Sequence, residues 1–292
     1  PAGVHSGDST AVLPPFSITE SIIKEIEDKS TTLAKALGVK GLLNIQFAIK
    51  DDTLFILEAN PRASRTMPFV SKVTGNQIIK AGTLLMLGHS LDSIKKTTNY
   101  LNSSTNKVAI KKAIFPWSRF PAEDTMLGPE MKATGEVLGI GRSFGVALNK
   151  AYAAAGVEIN ENEKGIFVSL SDQEKPNFIK IVKTYSDLGF KIYSTYGTGE
   201  YLKNNEINST IVGRADETFP TSLTILQDKL ISLVINTPTF ANEYTDGWKI
   251  RRLSHETGVA VVSSVREAEA FLKAFLETTK SFEDMEAIQN VS

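Results

Sequence analysis

Residues 58–65 read Glu-Ala-Asn-Pro-Arg-Ala-Ser-Arg, the one stretch where an acid, an amide and arginines recur at regular spacing. Glu58 and Asn60 lie two apart, so on a strand their side chains share a face. Carboxylate and amide oxygens on one face suit a hard cation such as Mg²⁺, which keeps waters and takes further ligands from phosphates. Arg62 and Arg65 follow at once. A guanidinium grips phosphate oxygens through a planar fork that an ammonium lacks. The chemistry indicated is a metal-assisted phosphate site. The plain alternative is an exposed hairpin that stops at Pro61.

Gln46 joins this set if a hairpin forms. Residues 42–49 and 54–57 read as two strands with Asp51-Asp52-Thr53 as the turn. A three-residue turn pairs Lys50 with Leu54 and so Gln46 with Glu58. A two-residue turn sends Gln46 to the opposite face.

A second cluster lies near the C-terminus. Ser194-Thr195-Tyr196-Gly197-Thr198-Gly199 falls where a strand ends and a helix begins. Hydroxyls and backbone N–H groups there form an anion nest, although a plain helix cap has the same residues. Asn236-Thr237-Pro238-Thr239 ends another expected strand, and Lys175 opens an earlier helix. In an open parallel sheet all three face the crevice at the strands' carboxyl ends.

These residues need elements to carry them. Ser17-Ile18-Thr19-Glu20 fits a capping box with Ser17 as N-cap, and Ile18, Ile22, Ile26, Leu33 and Leu37 form a helical stripe that Gly38 stops. Residues 75–87 read as a second helix and 89–107 as polar and irregular, with a surface loop at 102–106. Residues 108–115 and 136–140 read as strands and 143–155 as a helix. A linker is expected at 157–164, dividing the chain into units 1–156 and 157–292. Beyond it, strands at 165–170, 191–195, 230–236 and 259–263 alternate with helices at 176–188, 197–203 and 266–278. That alternation predicts a parallel sheet with helices on both faces. The last ~12 residues are expected to fray.

Composition narrows the classes. The 292 residues are 41% hydrophobic and 22% charged with a formal net charge of −1. Nothing in that balance favours nucleic acid or an anionic membrane. No apolar run approaches the roughly 18 residues that span a bilayer. The cysteine count is 0, which excludes disulfides and thiolate metal sites. The first residue is Pro1, and the chain is expected to be the C-terminal part of a longer protein.

Residues 58–75, EANPRASRTMPFVSKVTG, resemble the large subunit of carbamoyl-phosphate synthases, and more narrowly the second of its two ATP-grasp halves. Thr66–Lys72 is the discriminating part. Gly3-Val4-His5-Ser6-Gly7-Asp8-Ser9 and residues 127–136 agree in order and spacing. The resemblance implies an α/β fold class: the C-terminal portion of an ATP-grasp domain (α+β, antiparallel sheet with helices), then a methylglyoxal-synthase-like doubly wound parallel α/β domain. It implies Gln46, Glu58 and Asn60 as ligands of Mg²⁺ or Mn²⁺. Gln46 and Glu58, with His5 and Ser6 beside the ribose, would border ATP, while Arg62 and Arg65 would contact the transferred phosphate. His5 alone reads as a local hydrogen-bonding residue, His89 and His255 as surface or capping residues, Lys72 as a helix-end lysine, and Glu130 and Glu136 as structural groups at turns.

In the second unit the resemblance implies Ser169, Lys175, Thr195, Thr198, Asn236 and Thr237 as contacts of an effector nucleotide, UMP or IMP. Arg214 stands where a lysine is usual, keeping charge but not geometry. Lys112 replaces a glutamate of ornithine-responsive members, which argues against ornithine activation; Asp8, another acid of that site, is present. No Gly-Gly-Asp of true methylglyoxal synthases occurs near Val212–Asp216, so this unit reads as a binding module. The intact protein would phosphorylate bicarbonate, combine it with ammonia from a glutaminase small subunit or fused glutaminase domain, and phosphorylate the carbamate. A cytoplasmic oligomer is expected. With the upstream half of the ATP site missing, this segment alone is expected to lack turnover. Two alternatives remain: another ATP-grasp carboxylase or ligase, and a regulatory nucleotide-binding protein with a non-catalytic ATP-grasp remnant.

Overall fold

The computed structural model describes residues 3–98, 106–120, 124–157, 165–214, 217, 220–237 and 245–278. The first part runs β1 (Ala11–Leu13), α1 (Glu20–Ala36), β2 (Asn44–Lys50), β3 (Thr53–Asn60), α2 (Thr66–Thr74), α3 (Ile78–Met86), α4 (Leu91–Thr97), β4 (Val108–Ile114), β5 (Gly135–Gly141) and α5 (Phe144–Ala154). Strands β1, β4 and β5 form an antiparallel sheet in that order, and β2–β3 is a separate hairpin.

Three local expectations change. The capping box at Ser17 does not form: α1 starts at Glu20 behind an extended Thr19, so Glu20 is the first helical residue and cannot reach back as a third-position cap. Gly75 does not open a helix but closes α2, in a left-handed conformation with φ of 67°. The stretch after His89 is not irregular throughout, because Ser90 caps α4 by accepting the Ser93 N–H at 3.3 Å. The surface loop at 102–106 falls, except for Asn106, outside the described residues, as do 158–164 of the linker and the C-terminal fray.

The second part runs β6 (Gly165–Ser169), α6 (Lys175–Asp187), β7 (Lys191–Ser194), α7 (Tyr196–Asn204), β8 (Thr210–Ile211), α8 (Ser222–Gln227), β9 (Leu233–Asn236), α9 (Asp246–Glu256), β10 (Ala260–Val262) and α10 (Val265–Thr278). Its sheet is parallel throughout, in the order β10-β9-β6-β7-β8. The central strands are apolar because helices cover both faces.

One core runs through both parts. Ile110, Ala147, Leu148 and Tyr152 pack with Ile166, Val168, Phe271 and Ala274. The Tyr152 and Phe271 rings meet edge to face at 4.5 Å. α5 lies so close to β5 that a Cβ on Gly139 would stand 2.1 Å from the Ala147 carbonyl oxygen, so this position has room only for glycine.

Candidate functional site

The hairpin delivers the acid and amides to one face by an unexpected route. Asp51 and Asp52 form a two-residue turn with φ of 49° and 56°, a primed geometry that matches strand twist, and Lys50 pairs with Thr53. That turn alone would set Gln46 opposite Leu57. A register shift between Gln46 and Phe47 absorbs Leu57 as a bulge, so Gln46 pairs with Glu58 and Asn44 with Asn60. The expected Gln46–Glu58 pairing is therefore present, but the bulge produces it instead of a three-residue turn. Asn44, which sequence reasoning passed over, shares the face and donates to Ser64 Oγ at 3.1 Å, fixing the turn between the arginines.

Glu58 is exposed, with Gln46 and Asn60 half-buried. Among the described residues no group of three or more His, Cys, Asp or Glu is placed to hold a metal. The donor set on the hairpin is one carboxylate with amide oxygens, which fits a hard ion shared with phosphates. Arg62 is exposed and donates to the Ala63 carbonyl at 3.0 Å. Arg65 leans the other way and donates to the Ala133 carbonyl at 3.3 Å.

The turn at Ala133 joins Arg65 to the His5 loop. Asp8 is 2% exposed, and its carboxylate accepts the N–H groups of Lys132 at 2.8 Å and Ala133 at 2.9 Å. His5 Nδ1 accepts the Gly7 N–H at 3.0 Å, which assigns the ring proton to Nε2. Lys111, also missed from sequence, lies buried behind this loop and donates to the carbonyls of Ser6 at 3.3 Å and Gly7 at 3.4 Å. Burial lowers its pKa, and nearby Arg65 adds to that, while Glu136 and Asp8 oppose it. The signal for it was a pair of lysines, Lys111 and Lys112, in an otherwise apolar strand.

The second cluster gathers where β6, β7 and β9 end side by side. Ser169 pairs in register with Asn236, and the Ser169 carbonyl accepts the Thr237 N–H at 3.1 Å and Asn236 Nδ2 at 3.4 Å. Thr237 Oγ1 accepts the Ser171 N–H at 2.8 Å. Thr195 donates to Thr198 Oγ1 at 3.2 Å, and that oxygen accepts the Leu170 N–H at 3.0 Å. The first bond of α7 runs from Gly199 N–H to Thr195 O, so the N–H groups of residues 196–198 precede it. A Cβ on Gly197 would stand 3.7 Å from the Lys175 ammonium, which pairs with Asp172 at 2.5 Å. Lys175 and the start of α7 thus converge. Arg214 stands at the rim, largely exposed, 4.0 Å from Asp246.

Two family models match this chain: "Carbamoyl-phosphate synthase L chain, ATP binding domain" over residues 2–94 and "MGS-like domain" over residues 177–263. The chain belongs to the carbamoyl-phosphate synthase large-chain family. It is 38% identical to the C-terminal section of the carbamoyl phosphate synthase large chain of Aquifex aeolicus, covering 97% of this chain and 55% of that one. The corresponding section from Methanocaldococcus jannaschii is also 38% identical, over 97% of this chain and 47% of that one. The large chain of Archaeoglobus fulgidus is 41% identical over 96% of this chain and 26% of its own length. The chain therefore spans about half of the separate C-terminal sections and a quarter of a whole large chain. A solved biotin carboxylase domain matches with a TM-score of only 0.40 at 13% identity, over 50% of this chain and 39% of that one, too loose to bear on the carboxylase alternative.

Beyond these carbamoyl-phosphate synthase family matches, the junction of the two parts holds two buried basic groups. Lys112 is held over the Tyr152 ring, 3.9 Å from its centre. Burial lowers its pKa to about 8, and Glu267 opposes the shift. His255 is not a surface group. Burial, then the charges of Lys112, Arg252 and Arg251, lower its pKa to about 4, because three cations surround it near Trp117. Among the described residues no helix is long and apolar enough to cross a membrane.

Proposed function

We propose that this chain supplies the closing half of an ATP site that phosphorylates carbamate, together with a nucleotide-binding regulatory module, in units of 1–156 and 157–292. The observation that carries this reading is the bulge-corrected face holding Gln46, Glu58 and Asn60, with Arg65 tied to the His5 loop through Ala133. Phosphoryl transfer needs little covalent help and much electrostatic positioning.

In this reading the oxygens of Gln46, Glu58 and Asn60 hold Mg²⁺ or Mn²⁺, which neutralises phosphate charge when bound. Arg62 and Arg65 hold the oxygens of the moving phosphoryl group. His5 and Ser6 border the ribose, and Lys111 fixes their loop from behind. Ammonia reaches the whole enzyme from glutamine cleaved on a small subunit or fused domain, and bicarbonate is its carbon source. The enzyme works in the cytoplasm as an oligomer.

In the second unit Ser169, Lys175, Thr195, Thr198, Asn236 and Thr237 contact the effector nucleotide, UMP or IMP, with Arg214 at the rim. The test uses the full-length protein and Glu58→Gln. Formation of ATP from carbamoyl phosphate and ADP is expected to fall about a hundredfold or more with nucleotide binding in the second unit unchanged. Full activity in that variant would overturn the metal assignment. Lys175→Ala is expected to abolish UMP or IMP binding measured by calorimetry.

A further inference from the structure

Arg251 is 5% exposed and divides its fork between two partners that belong to different parts of the molecule. Its Nη1 donates to Asn236 Oδ1 at 2.9 Å, at the floor of the nucleotide pocket. Its Nε and Nη2 donate to the Asp124 carboxylate at 3.2 and 2.7 Å. The Asn236 amide is thereby used at both ends, since Nδ2 points to the Ser169 carbonyl. A Cβ on Gly247 would stand 3.2 Å from Nη1 and 3.5 Å from Asn236 Oδ1, so the turn opening α9 closes directly over this pair.

From Asp124 the line continues toward the other site. The Asp124 carbonyl accepts Lys132 Nζ at 3.1 Å. The Lys132 and Ala133 N–H groups hold Asp8, whose own N–H bonds the His5 carbonyl at 3.0 Å. The Ala133 carbonyl receives Arg65. Every step from Asn236 to His5 and Arg65 is a hydrogen bond, a side chain or a short run of backbone. Arg252, the next residue, is anchored to the same region through the carbonyls of Trp117 at 3.0 Å and Phe120 at 3.1 Å.

We propose that Arg251 and Asp124 are positioning residues of the nucleotide pocket, and that the ATP site senses the pocket through them. The inference rests on the effector reading given above. The guanidinium is the element with two arrangements: a bound phosphate that engages Asn236 competes for the Nη1 contact and draws Arg251 away from Asp124. Coupling then follows from the differential contact and is reciprocal between the sites. Asp124 also neutralises Arg251. Without that carboxylate an uncompensated cation stands behind an anion-binding pocket, which tightens anion binding even as the link to the ATP site is lost.

The experiment is Asp124→Asn in the full-length protein, with UMP and IMP as probes, reading their dissociation constants and their effect on the KM for ATP. In the unmodified protein the effective nucleotide changes that KM about fivefold or more. In the variant its dissociation constant is expected to fall about threefold or more, while its effect on the KM disappears. Weaker nucleotide binding marks a merely structural pair and overturns the proposal, as does coupling that persists. Arg251→Lys, which keeps the charge but cannot hold both partners, is the second variant and is expected to bind nucleotide without coupling. If neither nucleotide binds the unmodified protein, the effector reading itself fails and this inference falls with it. Binding with intact coupling in both variants sinks this inference alone.

Discussion

The β2–β3 hairpin and the parallel sheet are built from similarly apolar strands, yet they bury them to opposite extents. In β3 only Leu54 is buried, and Phe55, Ile56 and Leu57 are 48%, 44% and 52% exposed. In β9 all four residues are buried, and Phe167 of β6 is fully enclosed. The difference lies in cover: helices flank both faces of the parallel sheet, whereas among the described residues the hairpin packs chiefly against α1, on β3. The metal-ligand candidates therefore ride on a lightly buried element, while the nucleotide-pocket candidates sit on strand ends rooted in the main core.

That contrast can be broken in four places. Phe167→Ala is expected to cost about 4 kcal/mol in urea unfolding, whereas Phe55→Ala should stay within about 0.5 kcal/mol. Equal losses would mean that the hairpin is as firmly supported as the sheet. The junction is expected to be acid-sensitive through His255. Its folded pKa of about 4 lies below the ordinary 6.5, so the unfolded chain binds the proton more readily. Its contribution is complete above pH 6.5 and is lost as pH falls toward 4, amounting to about 2 kcal/mol by pH 5. His255→Gln should remove that part of the slope, and an unchanged profile would show that the imidazole is not held neutral. Ser143→Ala should cost about 1 kcal/mol because its hydroxyl caps α5 by accepting the Val146 N–H. Thr19→Ala, at the start of α1, should shift the midpoint by only a few tenths, since Thr19 makes no side-chain cap bond.

The same contrast explains what the sequence could tell. In the second part, short apolar runs punctuated by glycine translate directly into β6, β7, β9 and β10, because burial on both faces makes strands uniformly apolar. β8 is only Thr210–Ile211, too short for any pattern. α9 was illegible for a physical reason: Arg251 and Arg252 occupy buried positions that apolar residues would normally mark. They are tolerated because Asp124, Glu256 and backbone carbonyls meet their charge. At the hairpin the residue types and the face were legible from spacing. The bulge at Leu57 was not, because an extra residue leaves no mark in composition and shows only in the register. Lys112 was read as a charge that would repel a cation. Its lodging over Tyr152 depends on α5, which folds back onto β4 from more than thirty residues away.

The shared core of α5 and α10 has a consequence for anyone recombining such chains. Tyr152 precedes the expected boundary and Phe271 follows it, yet their rings pack against each other, and Glu277 accepts the Gly145 N–H at 2.6 Å. A chimaera crossed over near residue 156 would join an α5 from one parent to an α10 from another and mismatch that seam. The cassette that transplants intact is set by packing: it must carry α5, and the β4–β5 ribbon that Gly139 fits to it, along with the parallel sheet.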